Sequence, residues 1–277
     1  MQIFLNGQFL PAARARVSLF DRGLLYGDGL FETVRIHGGK AFRLEQHLAR
    51  LQAGADLLRI KIPFAPQKIH RLAAQLLTRN QTTEALLRLT LTRGVGARGY
   101  SPRGANQPTF AMTLHPLPLS QKNYRLITAS VRLPAADLLA RHKTANKLAQ
   151  ILARAEADDV RANDALLLNS RGQVAETTSG NIFIIVGKKL FTPPVSTGIL
   201  LGITRAVTLE LCAKLDLLAC EKNMRTADLS KADGIFLTFT SQGLVEVSSL
   251  DGKKLRRSSF VKKLRAAYAK LMRAECA

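Results

Sequence analysis

The sequence predicts a mixed α/β or α+β chain folded as two domains. Three observations carry this reading: a length of 277 residues, strands and helices in irregular alternation, and a proline-marked break near the middle. A chain of this length forms one large domain or two ordinary ones, and two is the better prior. The order of the elements does not suit a regular doubly wound sheet.

In chain order, Gln2 to Leu10 reads as two short strands around an Asn6-Gly7 turn. Gly29 to Ile36 is a strand, and His37 to Lys40 the turn after it. Arg43 to Leu58 is a helix, because Leu44, His47, Leu48, Leu51, Ala55 and Leu58 recur at three- and four-residue spacing. Pro66 to Arg79 reads as a second helix, Ala85 to Arg93 and Pro108 to His115 as strands, with a glycine-rich loop at Gly94 to Tyr100. Pro116 and Pro118 suit neither a central strand nor a helix interior. The linker is therefore expected at 117–122, between a domain over 1–116 and a larger one over 123–277. The second half is expected to run strand, helix (about Thr144 to Val160), strands (Ala165 to Asn169, Ile182 to Val186), helix (Thr204 to Lys214), strand (Gly234 to Thr240) and terminal helix (Ser258 to Arg273).

With 47% hydrophobic and 22% charged residues the composition is that of a soluble globular protein. No apolar run reaches the ~18 residues a membrane helix needs, and the N-terminus lacks a basic leader and apolar core, which argues against a span or a secretory signal. Three cysteines without CxxC spacing argue against a disulfide framework or a zinc site, and a reducing cytoplasm is expected. The charge is unusual: 41 Lys+Arg against 20 Asp+Glu, a formal +21. It suggests an anionic partner, nucleic acid included. The basic residues are scattered, however, except near Lys253 to Arg265, where a solvated helix face is the simpler reading. Trp is absent and aromatics are only 6%, so stacking platforms for bases are few.

Five features could carry chemistry. Lys143 stands just before the predicted helix; an unprotonated lysine amine condenses with an aldehyde, and a helix N-terminus with neighbouring His142 and Lys147 would disfavour its charge. Glu176 leads a small polar run into a strand, where an anion could sit beside a pyridine nitrogen. Gly202-Ile203-Thr204 opens a helix, a seat for phosphate. Thr240 and Ser241 put two hydroxyls at a strand end, and Arg50 could add a guanidinium to the same phosphate. Taken singly, each has an ordinary structural reading: a surface lysine, a solvated hairpin Glu, a Thr N-cap, a surface arginine.

Together, the fragments Tyr26-Gly27-Asp28-Gly29-Leu30-Phe31-Glu32-Thr33, His47-Leu48-Ala49-Arg50-Leu51, Lys143 with Asn146, Glu176 with Asn181, Gly202-Ile203-Thr204-Arg205 and Thr240 follow one another as they do in class IV aminotransferases. The resemblance runs from about Phe4 to the terminal helix and covers a family that includes branched-chain and D-amino-acid aminotransferases and 4-amino-4-deoxychorismate lyase. It implies the fold type IV architecture, a small N-terminal α/β domain and a larger C-terminal domain with pyridoxal 5'-phosphate between them, usually as a homodimer. It implies that Lys143 is the Schiff-base lysine and the acid/base, and that Glu176 partners the pyridine nitrogen. Arg50, the backbone of Ile203, Thr204 and Thr240 are implied to form the phosphate cup. Phe31, Thr33, Arg98 and Tyr100 are implied to meet the substrate. No metal is expected. Thr33, the Arg98-Gly99-Tyr100-Ser101 loop and Lys147 lean toward the lyase; Thr92 to Gly96 and Glu176 to Asn181 are equally at home in aminotransferases. The Arg-x-His pair of the D-amino-acid enzymes is replaced by Arg98-Gly99-Tyr100. The expected activity is amino transfer between an amino acid and a 2-keto acid, with the lyase as the alternative and a nucleic-acid-binding protein as a remote one.

Overall fold

A computed structural model describes residues 1–119, 121 and 123–277, which divide into two compact units. The first unit comprises Met1–Leu117, His142–Asn146 and Met272–Ala277; the second comprises Pro118–Arg141 and Lys147–Leu271. Ser120 and Lys122 of the expected linker lie outside the described residues.

The first unit contains β1 (Gln2–Leu5), β2 (Gln8–Pro11), α1 (Arg22–Tyr26), β3 (Gly29–His37), β4 (Lys40–Ala41), α2 (Leu44–Leu58), α3 (Pro66–Arg79), β5 (Ala85–Thr92) and β6 (Thr109–His115). Asn6 and Gly7 both have positive φ, 46° and 99°, which lets two residues join β1 to β2 with the twist a hairpin needs. The six strands pair in the order β2-β1-β6-β5-β3-β4, every neighbour antiparallel. Strand alternation sorts the residues. Leu30, Val34 and Ile36 of β3 and Leu87, Leu89 and Leu91 of β5 are buried and pack with Leu48 and Leu51 of α2 and Ile69 and Leu76 of α3. Phe31, Thr33 and Arg88 point to the other face and are half-buried.

The second unit contains β7 (Tyr124–Leu133), α4 (Leu148–Asp159), β8 (Asp164–Asn169), β9 (Val174–Thr177), β10 (Asn181–Val186), β11 (Lys189–Thr192), α5 (Ile203–Lys214), β12 (Leu218–Glu221), α6 (Thr226–Ser230), β13 (Gly234–Phe239), β14 (Gly243–Leu250), β15 (Lys253–Lys254) and α7 (Ser259–Glu275), whose last turn belongs to the first unit. Among the described residues its strands run β12-β11-β10-β13-β14-β7-β8-β9, and β9 also pairs with β10. That last pairing closes β10-β13-β14-β7-β8-β9 into a ring. Strands buried on both faces carry near-continuous apolar runs, as Ala165 to Leu168 of β8, Ile182 to Ile185 of β10 and Ile235 to Leu237 of β13 do. Small residues Ala153 and Ala157 let α4 approach β7 and β8 closely.

Two expectations are corrected. The helix after Lys143 starts at Leu148 rather than about Thr144, because residues 143–145 are taken up as a strand edge instead. Thr204 is not a helix cap; Gly202 holds that position, and Thr204 is the second residue inside α5. Among the described residues no helix is long and apolar enough to cross a membrane.

Leu87 is fully buried between sheet and helices, whereas Leu138 is 64% exposed. Leu87→Ala should cost ~2–5 kcal/mol in urea unfolding and Leu138→Ala less than ~0.5 kcal/mol. Equal costs would mean that the sheet–helix layer is not the core.

Candidate functional site

In the first unit the segment 143–145 lies along β3. Phe31 N–H donates to the Lys143 carbonyl at 2.9 Å, Ala145 N–H donates to the Gly29 carbonyl at 2.8 Å, and Leu30 bridges Thr144. This edge of β3 is open here because β4 pairs only with Ile36 and His37 farther along. The backbone of Lys143 is thereby fixed, and its Nζ stands 4.7 Å from the centroid of the Phe31 ring. The Arg88 guanidinium carbon lies 4.0 Å from the same centroid. Burial pushes the Arg88 pKa down. Thr33, opposite Arg88 in the β3–β5 register, continues the same face.

Arg50 sits on α2, toward the other face of β3. Its Nε donates to Glu32 Oε1 at 2.8 Å and its Nη2 to Glu32 Oε2 at 2.7 Å, while His47 Nδ1 lies 2.7 Å from Oε2. Burial of Glu32 pushes its pKa up, but the hydrogen bonds from Arg50 and His47 outweigh that and hold it at about 2. Burial pushes His47 down, with the Arg50 and Lys143 charges adding to the effect against the pull of Glu32. A neutral His47 donating Nδ1–H to an ionised Glu32 fits both shifts.

In the second unit Glu176 and Asn181 face each other where β9 closes on β10. Asn181 Nδ2 donates to Glu176 Oε2 at 3.4 Å and to the Leu200 carbonyl at 2.8 Å. Leu200 N–H donates to Glu176 Oε2 at 3.0 Å, and Gly202 N–H donates to Asn181 Oδ1 at 3.2 Å. One amide thus ties the carboxylate to the start of α5. A Cβ on residue 202 would lie 2.2 Å from Asn181 Oδ1, so only glycine permits this approach. Gly202 gives α5 no side-chain cap, which leaves the first helical N–H groups, those of Ile203 and Thr204 among them, without one. Thr238 of β13 lies opposite Asn181, its hydroxyl buried with no hydrogen-bond partner among the described residues. Thr240 follows two residues later, in the turn to β14. Lys147, at the N-cap of α4, is half-buried; burial pushes its pKa down against the pull of Glu176 and Asp137.

The family model for class IV amino-transferases matches residues 29–250. The chain belongs to the class IV aminotransferase family. It is 38% identical over 274 residues (97% of this chain, 95% of the relative) to a Methanocaldococcus jannaschii protein provisionally called a branched-chain-amino-acid aminotransferase. It is 31% identical over 252 residues (89% and 90%) to aminodeoxychorismate lyase of Vibrio harveyi. The T.th. branched-chain amino acid aminotransferase, solved with pyridoxamine 5'-phosphate, matches with TM-score 0.92 and 27% identity over 98% of this chain and 93% of that one. The chain is thus an enzyme of fold type IV.

Three residues that contact the expected site residues escape a reading of the sequence alone. Glu32 and His47 belong with Arg50, and Arg88 belongs with Phe31. Arg88 carries a local signal, a charge at a half-buried position of an alternating strand, but its neighbour is set by the β3–β5 register. Arg98 and Tyr100 occupy an exposed loop, with Tyr100 89% exposed. Arg22 holds that loop by donating to the Gly99 carbonyl at 2.8 Å, and the Tyr26 hydroxyl accepts from Gly99 N–H at 2.9 Å.

The pKa of Glu32 falls from 4.5 to about 2 on folding, so its contribution is complete above pH 4.5 and is lost as the pH drops toward 2. Glu32→Gln should lower stability at pH 7 by on the order of 3 kcal/mol, and the gap to the parent should narrow below pH 4.5. Denaturant unfolding across that range checks this; a gap that stays constant would show that the Glu32 charge does not carry the cluster.

Proposed function

We propose that this enzyme moves an amino group between an amino acid and a 2-keto acid, using pyridoxal 5'-phosphate attached to Lys143. The observation that carries the reading is the chain of hydrogen bonds from Glu176 through Asn181 to Gly202, which couples an oriented carboxylate to an uncapped helix N-terminus. Such a pair of groups fits a phosphorylated pyridine: the anion suits a protonated ring nitrogen and the helix amides suit a phosphate. When bound, the cofactor supplies an aldehyde that takes up the substrate amine and a ring that accepts the Cα electrons.

The roles of the chain's residues are those the family resemblance implies, and their chemistry suits them. Lys143 Nζ would hold the cofactor and, with the substrate amine in place, would serve as the base that takes the substrate Cα proton and the acid that delivers it to the cofactor carbon. The Phe31 ring beneath Nζ and the nearby Arg88 provide a half-buried, positively charged surround. The Glu176 carboxylate keeps the ring-nitrogen proton in place. The amides of Ile203 and Thr204, the Thr240 hydroxyl and the Arg50 guanidinium take the phosphate, and the grip of Glu32 on Arg50 sets the direction of that guanidinium. Phe31, Thr33, Arg98 and Tyr100 meet the substrate. Exposed Leu19, Phe20 and Leu24 around α1 support a homodimer, and a cytoplasmic location goes with this reading.

A second reading, 4-amino-4-deoxychorismate lyase, is favoured by one observation: Lys147 puts a half-buried cation near Glu176, which would suit a substrate with an extra ring carboxylate. A two-armed product assay separates the two. One arm supplies 4-amino-4-deoxychorismate without a keto acid; the other supplies L- and D-amino acids with 2-oxoglutarate or pyruvate. The proposal expects turnover in the amino-transfer arm; fast release of 4-aminobenzoate with little amino transfer would overturn it. Lys143→Ala should lower turnover at least ~10²–10⁴-fold, the range for losing a positioned acid/base group. Near-parental turnover in that variant would remove Lys143 from its role.

A further inference from the structure

Within the first unit a pocket of about 320 Å³ opens where the end of α2 meets the loop before β6. Four of its lining residues are cations (Arg59, Lys61, Arg93 and Arg103) and none is a carboxylate. The floor is rigid. Arg93 is 8% exposed, and its Nε and Nη2 donate to Asp28 at 2.7 and 3.1 Å. Nη2 also donates to the Leu58 carbonyl at 2.7 Å, and Nη1 to the Arg59 carbonyl at 3.1 Å. Arg93 thus clamps the last carbonyls of α2. A guanidinium has five N–H donors; these contacts use four, leaving one Nη1 hydrogen without a partner among the described residues.

The charge around this floor is not neutralised locally. Asp28 is shared with Arg22, whose Nε donates to it at 2.9 Å, so the set of two arginines and one carboxylate stays positive. Arg59, Lys61 and Arg103 are exposed and form no ion pair among the described residues. Like charges gathered in a concavity repel one another and concentrate anions. Ile60 and Ala105, both buried, and two prolines give the pocket apolar, stiff walls. Its volume sits at the lower end of the range for small-molecule sites, larger than a single oxyanion fills.

We propose that this pocket binds a small polyanion carrying two or more phosphate or carboxylate groups, through residues that belong to neither the Lys143 nor the Glu176 cluster. Guanidinium and ammonium groups serve both kinds of oxyanion, and the three unpaired cations call for a multiply charged ligand rather than a monoanion. Nothing in the amino-transfer reading requires this site, and it stands or falls independently.

Titration calorimetry on the full chain saturated with pyridoxal phosphate, at about physiological 0.15 M salt, tests it with pyrophosphate and citrate as probes. One saturable site per chain is expected for at least one probe, weakened ~10-fold or more in Lys61→Glu/Arg103→Glu, with amino transfer and melting temperature unchanged. Binding of pyrophosphate alone assigns a phosphate ligand, and of citrate alone a carboxylate one. Absence of saturable binding, or affinity unmoved by the double substitution, overturns the proposal. A DNA duplex that binds more tightly than both probes and is released by the same substitutions would overturn it in favour of a nucleic-acid surface.

Discussion

Two backbone hydrogen bonds, from Phe31 N–H to the Lys143 carbonyl and from Ala145 N–H to the Gly29 carbonyl, hold the proposed reactive lysine on the edge of β3. Lys143 is thereby part of the first unit, although the chain on both sides of residues 142–146 belongs to the second. A lysine on a free loop would lose backbone as well as side-chain entropy on being ordered; one whose backbone is a strand partner has only its own rotamers to lose. The same edge sets the neighbours. Fixing Thr144 against Leu30 puts Nζ over Phe31, and the register of β3 on β5 brings Arg88 to that ring.

The second unit reaches its organisation by a parallel device. Ring closure of β9 on β10 rests on the Glu176–Asn181 pair, and Asn181 then spends its amide on Leu200 and Gly202. A side chain that satisfies a carboxylate, a carbonyl and a backbone N–H together leaves little freedom to any of them. The glycine at 202 is the counterpart: a side chain there would collide with the same amide.

Much of this was legible in the sequence, and what was not has a common cause. Heptad-like spacing marked α2, strand alternation marked β3 and β5, and Asn6-Gly7 marked the first hairpin, because each signal lies within a few residues. The start of α4 is not legible locally, because pairing of residues 143–145 with β3, more than a hundred residues earlier in the chain, overrides local helix preference. Glu32 enters the sequence reading only as part of the Tyr26-to-Thr33 fragment, with no role of its own. Its role as the shared acceptor of His47 and Arg50 depends on how α2 packs on β3, which no local pattern encodes. Lys143, Glu176, Ile203, Thr204 and Thr240 were picked out by the order of separate fragments along the chain, since each alone reads as ordinary surface or turn chemistry.

The central claim is that Lys143, and not Lys147, carries the cofactor. Both lysines are half-buried, and Glu176 acts on the Lys147 charge, so Lys147 is the credible rival. Borohydride reduction of the protein loaded with pyridoxal phosphate, followed by protease digestion and mass mapping, distinguishes them directly. The account predicts a pyridoxyl group on the peptide that contains Lys143, at that residue. A label on Lys147, or on neither lysine, would contradict it.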